Sequence, residues 1–310
     1  MSNATPVTPF RILSLDGGGA KGFYTLGVLK EIEALVGCPL FEKFPLIFGT
    51  STGAIIAALL ALGREVDETH ALYRKHVPAI MRPSSRAEKT EALKVVAASV
   101  FEALDFSAFK TDIGIVATQW IFERPMIFKT NIRQAHGRHS TFVAGFSCKI
   151  ADAVQASCSA FPFFDRYRLK IRDGQTVELA DGGYCANNPT LYALADAIRA
   201  LKENPANLRV VSLGVGTYPE PRYRFYKRWI RKWPSVRLLQ KTLNVNTSSM
   251  DQLRHVLFSE VPTVRISETF STPEMATDLM EHDLNKLDIL YQRGRESFAL
   301  HEQTLKEFLL

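Results

Sequence analysis

The sequence predicts an α/β fold with a mostly parallel central sheet. Strand-like and helix-like segments alternate over the first 216 residues, the pattern of strands joined by crossover helices. Three of the strand-like segments run straight into glycine-rich turns, and one of these has the spacing G-x-S-x-G. The 310 residues are 46% hydrophobic and 23% charged, the composition of a globular protein able to bury a large core.

Residues 10–15 alternate and are rich in branched side chains, so they read as a first strand. Asp16, Gly17, Gly18, Gly19, Ala20, Lys21 and Gly22 follow, and Leu26, Leu29, Ile32, Leu35 and Val36 then fall at helical spacing up to Gly37. A glycine-rich loop between strand and helix offers backbone N–H groups to an anion. A dinucleotide fingerprint fits it only loosely, because the loop is short and lacks an acidic partner at the right distance. The phosphate-loop motif does not fit, because Lys21 precedes Gly22. An oxyanion hole and a plain tight turn both stay open.

Pro45, Leu46, Ile47 and Phe48 lead into Gly49-Thr50-Ser51-Thr52-Gly53, and residues 54–62 are apolar. A strand, a sharp turn and a buried helix together would lift a serine hydroxyl out of the sheet as a nucleophile, and a plain turn of small residues stays open beside that reading. Ser51 would also sit at a helix N-terminus, where free N–H groups favour negative charge.

Residues 66–80 and 87–104 read as helices. The second carries Leu93, Val96, Val100, Phe101 and Leu104 on one side, a packing face in preference to a mobile or membrane-facing cover. Residues 124–130 are strand-like. His136 and His139 read as parts of a solvated loop, since no acidic or cysteine ligand stands beside them.

Residues 177–180 form a short strand that runs into Asp181-Gly182-Gly183. An aspartate there is placed like a catalytic carboxylate and equally like a turn former. Residues 190–201 are helical and 209–216 form a strand. Residues 244–249 read as a helix cap, 250–258 as a helix, 261–267 as a strand, and a terminal helix starts at about 283.

The net charge of +6 is local. Residues 219–241 hold eight Lys/Arg and one Glu, so the rest of the chain carries 30 basic against 31 acidic residues. That distribution excludes a general nucleic-acid coat, so neither DNA nor RNA is an expected partner. With the basic segment go Tyr218, Tyr223, Phe225, Tyr226, Trp229 and Trp233, a mixture suited to lipid headgroups, to stacking on a nucleotide, or to a solvated helix with its aromatics turned inward. The first residues lack the apolar core of a signal peptide, and the longest apolar run is about half of a membrane span. Cys38, Cys148, Cys158 and Cys185 form no C-x-x-C pair and read as reduced thiols, with no metal site. These features lead to the expectation of a cytoplasmic protein.

The three glycine turns, in this order and each after a strand, resemble those of the patatin-like phospholipases. The matching residues are Asp16 to Gly22, Gly49 to Gly53, and Asp181 to Gly183; the Ala/Ser-rich stretch at residues 153–164 is similar as well. The resemblance covers about residues 10–216 and implies a three-layer α/β/α fold with a G-x-S-x-G elbow. It implies one catalytic domain over residues 1–310, with the basic-aromatic segment and helices of about 217–310 as its tail.

It further implies a lipid acyl hydrolase that cleaves phospholipid esters through a Ser51–Asp181 dyad and an acyl-enzyme. The oxyanion hole would come from Gly17, Gly18 and Gly19. Lys21, Gly22, Gly49, Gly53, Gly182 and Gly183 would support the motifs, and no cofactor would be required. The tail resembles, less specifically, bacterial patatin-like effectors switched on by cyclic nucleotides in anti-phage signalling. This implies an activating cyclic di- or oligonucleotide, with peripheral inner-membrane association when active and homo-oligomerisation left open. The competing readings are a nucleotide-binding switch that acts by assembly or membrane recruitment, and a soluble esterase or thioesterase.

Overall fold

The computed structural model describes residues 8–171, 174–220 and 234–310. In chain order the strands are β1 (Phe10–Leu15), β2 (Leu46–Thr50), β3 (Asp112–Gln119), β4 (Arg124–Lys129), β5 (Tyr167–Lys170), β6 (Thr176–Asp181), β7 (Leu208–Leu213) and β8 (Thr263–Ile266). The helices are α1 (Gly22–Val36), α2 (Leu40–Lys43), α3 (Thr52–Ala61), α4 (Val66–Met81), α5 (Arg86–Phe101), α6 (Ile150–Ser157), α7 (Gly183–Ala186), α8 (Thr190–Ala195), α9 (Pro234–Leu257) and α10 (Leu284–Leu309).

All the strands join one sheet in the order β5-β6-β3-β2-β1-β7-β8, with β4 also on β3. The run from β3 through β2, β1 and β7 to β8 is parallel. Parallel strands joined by helices are covered on both faces, so their side chains are apolar both ways. The burial follows this rule. Leu13, Leu15 and Ile47 join a large core with α1, α3, α4 and α10, whereas Ile12, Leu46 and Phe48 join a smaller one with Ala193 and Leu194 of α8. This is the expected three-layer α/β/α arrangement.

The arrangement along β3 decides where the functional turns meet. Residues 114–119 of β3 pair with β4 along one edge. The opposite edge is shared by two strands. β2 pairs with residues 112–116, and antiparallel β6 pairs with residues 117–119. Thr50 therefore faces Val116, and Asp181 faces the next residue, Ala117. The two strands run toward each other and stop head to head, so the turns that follow them converge.

The segments after 216 add to the same sheet and core. β8 extends the sheet beyond β7, and α10 lies along α1. The two helices cross at glycines. A Cβ on Gly27 would lie 2.0 Å from the Tyr291 carbonyl oxygen, and one on Gly294 would lie 2.0 Å from that of Tyr24. Only glycine allows backbones to approach so closely.

Two sequence expectations change. Residues 244–249 lie inside the 24-residue α9 and do not cap a helix. No element was expected at residues 112–119, which form the central strand β3. A third gains detail. His136 is exposed as expected, yet its Nε2 lies 2.6 Å from the buried carboxylate of Asp196, which also accepts from Lys129 and Gln134. Most of the basic-aromatic segment, 221–233, lies outside the described residues.

Gly182 shows how tightly the head-to-head junction is built. A Cβ there would lie 2.2 Å from the Val116 carbonyl oxygen. Gly182→Ala should lower unfolding stability by about 1–3 kcal/mol, the usual cost of overpacking, as measured by urea denaturation.

Candidate active site

Ser51 occupies the turn between β2 and α3 with φ 53° and ψ −122°. A non-glycine residue held in that region stores about 1–3 kcal/mol of backbone strain. The surrounding glycines allow the turn to close. A Cβ on Gly53 would lie 2.3 Å from the Leu15 carbonyl oxygen, and one on Gly49 would lie 2.4 Å from that of Gly53. The Ser51 amide donates to Ser157 Oγ at 2.8 Å, and Ser157 Oγ donates to the Val116 carbonyl at 2.6 Å. The strained turn is thereby tied to β3.

The Ser51 hydroxyl donates to Asp181 Oδ2 at 2.7 Å, and the Gly183 amide donates to Oδ1 at 2.7 Å. Asp181 is 3% exposed. Burial pushes its carboxyl up to about 6, against the opposing effect of the bonds from Ser51 and Gly183. A carboxylate with a raised pKa is a better proton acceptor, provided it remains ionised.

The glycine loop after β1 closes the site from the other side. Its residues are not equivalent. The Gly17 amide donates to the Asn187 carbonyl at 2.9 Å, so it has no proton to offer a substrate. The amides of Gly18 and Gly19 have no acceptor among the described residues, and both glycines line the same cavity as Ser51. Gly19 has φ 59°, and a Cβ on it would lie 2.4 Å from the Leu279 carbonyl oxygen. Gly22 starts α1 against Thr52, whose Oγ1 would lie 2.6 Å from an added Cβ. Lys21 faces a different, polar cavity. Burial pushes its ammonium down to about 8, opposed by Asp278 and Asp16.

The cavity at Ser51 is mostly apolar. Ile55, Val77, Ile80, Met81, Leu93 and Phe163 supply much of its wall. Leu93 comes from α5, so the expected packing face also shapes this cavity. Such a wall is suited to apolar groups.

Sequence reasoning missed three supports of the site. Ser157 looks like any small helix residue. Asn187 stands just after the aspartate turn, yet nothing in the sequence marks it as a strut. Its backbone amide donates to Asn246 Oδ1 at 2.8 Å, and its side chain donates to Thr247 Oγ1 at 2.7 Å. Arg265 of β8 forms a two-pronged pair with the buried Asp16, at 2.9 and 2.5 Å. Its partner is 249 positions away, beyond the reach of any local pattern.

Comparison with known proteins assigns the chain to a family. The family model of the patatin-like phospholipases matches residues 13–194, which contain all three glycine turns. The chain belongs to the patatin-like phospholipase family. It is a lipid acyl hydrolase by that membership. A relative from Escherichia coli, a cUMP-AMP-activated phospholipase, is 61% identical over 300 residues, covering 97% of this chain and 94% of the relative. A cGAMP-activated phospholipase from Vibrio cholerae is 29% identical over 238 residues, covering 68% of this chain and 64% of the relative. Among solved structures, VipD from Legionella pneumophila shares the fold with a TM-score of 0.50 at 13% identity, over 97% of this chain and 67% of its own.

Above about pH 6 the Asp181 carboxylate is ionised despite its burial. A pKa of about 6 against an ordinary value of 3.8 means that the folded state binds a proton more readily than the unfolded chain. The destabilising effect is absent below about pH 4, grows between about pH 4 and 6, and is full above that. Asp181→Asn removes the charge and keeps the shape. It should therefore raise stability at pH 8 by about 1–3 kcal/mol, read as an upward shift of the thermal midpoint that shrinks toward pH 4.

Proposed function

We propose that the chain hydrolyses phospholipid acyl esters through a Ser51–Asp181 dyad. The observation that carries this reading is the 2.7 Å bond from Ser51 Oγ to the buried Asp181 carboxylate, beside an apolar cavity. Ser51 Oγ attacks the ester carbonyl as its proton passes to Asp181 Oδ2. The negative charge on the carbonyl oxygen is met by the free amides of Gly18 and Gly19, and the α3 N-terminus adds its field. Collapse breaks the ester C–O bond, and the departing lysolipid alkoxide takes the proton from Asp181. Asp181 then deprotonates a water, which attacks the acyl–Ser51 ester. The fatty acid leaves as Ser51 Oγ regains its proton. Residues 1–310 act as one catalytic unit in this reading, since β8 supplies the Arg265 that holds the glycine loop.

The substrate is presented by a membrane, and one part of the surface suits that encounter. β3 and β4 form a hairpin that extends beyond Ala117, the residue facing Asp181. At its tip Ile121 is 67% and Phe122 is 63% exposed. Arg124 stacks on Phe122 at 5.0 Å, and Arg166 stacks on Trp120 at 5.0 Å. Exposed apolar side chains ringed by arginine and tryptophan fit the boundary between acyl chains and anionic headgroups. No helix among the described residues is long and apolar enough to cross a membrane, so this contact would be peripheral.

A second element of the reading is control by a cyclic dinucleotide. It is supported by the named activators of the Escherichia coli and Vibrio cholerae relatives. The nucleotide would act as an activator and not as a cofactor of the chemical step.

Fatty-acid release from phospholipid liposomes, followed by mass spectrometry with and without cyclic nucleotide, tests the whole reading. Ser51→Ala and Asp181→Asn should each lower turnover by about 10³-fold or more. Wild-type kcat/KM should rise with pH through about 6 as Asp181 ionises. Substantial turnover in either variant would exclude the dyad. The double variant Ile121→Ser, Phe122→Ser should lose about 10-fold or more on liposomes while keeping its rate on a short soluble ester. Equal losses on both substrates would remove the hairpin from membrane contact, and activity on soluble esters alone in the wild type would favour the esterase reading.

A further inference from the structure

A second cavity lies across the glycine loop from Ser51. The two cavities share Gly18, Asn187, Leu243 and Leu279 as a common wall, while Ser51 and Asp181 line only the first. The lining of the second is rich in polar side chains. Lys21 enters from the glycine loop, and Gln240, Asn244 and Thr247 from α9. Tyr218 comes from the segment after β7, and Thr277 from the segment before α10.

Two hydroxyls of this lining are buried without a hydrogen-bond partner among the described residues, Thr277 Oγ1 and Tyr218 Oη. Thr277 is 7% exposed. Groups of this kind are uncommon in folded proteins and leave two hydroxyls able to bond a ligand. The Lys21 ammonium stands 6.0 Å from the centre of the Tyr218 ring and has no hydrogen-bond or ion-pair partner among the described residues. The nearby carboxylates are engaged. Asp16 is paired with Arg265, Glu220 with Lys241 at 3.3 Å, and Asp278 accepts from the Met280 amide at 2.8 Å.

Among the described residues, one cation without an ion-pair partner stands here beside several engaged carboxylates. This arrangement suits a ligand of low charge, rich in donors and acceptors, with a phosphate oxygen for Lys21 and polar ring edges for the amides and hydroxyls. We propose that this cavity binds a phosphodiester ligand of the cyclic dinucleotide class and passes its presence to the catalytic cavity through the shared wall. This rests on the reading that a cyclic nucleotide activates the enzyme.

The coupling has a physical path. The Leu279 carbonyl holds the Ala20 amide at 3.0 Å, and Asn246 and Thr247 of α9 hold Asn187 at 2.8 and 2.7 Å. Asn187 in turn holds Gly17 through both backbone and side chain, at 2.9 and 3.2 Å. A ligand that grips Lys21, Thr277 and α9 therefore loads the three segments that position the Gly18 and Gly19 amides.

A lipid headgroup is also a phosphodiester, so the test must separate the two sources. Calorimetry on the full chain would use cyclic UMP–AMP, cyclic GMP–AMP and glycerophosphoethanolamine, with fatty-acid release measured in parallel. One cyclic dinucleotide should bind the wild type and Ser51→Ala equally. Lys21→Gln and Thr277→Val should weaken that binding about 10-fold or more, the usual cost of losing one buried polar contact, and Gln240→Ala should weaken it several-fold. Thermal midpoints report folding. Gln240 is only half-buried on α9, so its variant keeps the test alive if another fails to fold.

Unchanged affinity in all three variants would place the nucleotide elsewhere and overturn the site. Activation itself would still stand if the nucleotide raised wild-type fatty-acid release. Binding of glycerophosphoethanolamine alone, weakened by the same variants, would make the cavity a headgroup subsite and also overturn the proposal. Absence of both binding and stimulation by the dinucleotides would overturn the site and the activation reading together.

Discussion

The structure depends on how the edge of β3 is shared. A parallel sheet normally carries its functional groups on loops at one end of the strands. Here a parallel strand and an antiparallel strand occupy the same edge and finish at adjacent positions, opposite Val116 and Ala117. The meeting of a hydroxyl and a carboxylate 130 positions apart in the chain then follows from backbone pairing. It does not depend on flexible loops finding each other. The Ser157 hydroxyl, placed between the Ser51 amide and the Val116 carbonyl, ties the strained turn to the same strand.

That geometry is held at a cost in stability. Ser51 adopts a backbone conformation unfavourable for any residue with a side chain, and Asp181 is ionised where water cannot reach it freely. Two separate penalties, one conformational and one electrostatic, meet in one hydrogen bond. A fold tolerates this when the surrounding structure over-determines the site. The buried apolar faces on both sides of the sheet and the Asp16–Arg265 pair beside the glycine loop do so here.

Much of this was legible in the sequence, because much of it is local. The strand at residues 10–15, the buried helix after Ser51 and the terminal helix starting at about residue 283 follow from periodicity and capping; Asp283 caps α10 through its own side chain. The three glycine turns are short motifs with fixed spacing. What escaped was non-local or ambiguous. β3 is a short, nearly unbroken apolar run with Gly114 inside it, and periodicity alone cannot assign such a run. Gly114 is there because a Cβ would lie 2.2 Å from the Phe48 ring, a contact invisible in one dimension. Asn244 to Ser249 look like a cap because their side chains favour caps, but on α9 two of them reach Asn187. Of the three loop glycines, only the fold reveals that Gly17 has already committed its amide.

The glycine-to-glycine crossing of α1 and α10 has a consequence for how the protein is made. α1 follows the first strand, and the surface that fits its bare backbone belongs to a helix far along the chain. Glu31 on α1 pairs with Arg295 on α10, 264 positions later. During synthesis the earliest helix must wait, with its groove open, until that distant helix has left the ribosome. Arg265, which pairs with Asp16 at the start of the glycine loop, also emerges late. The groove along α1 and the Asp16–Arg265 pair can therefore close only after these late segments are available.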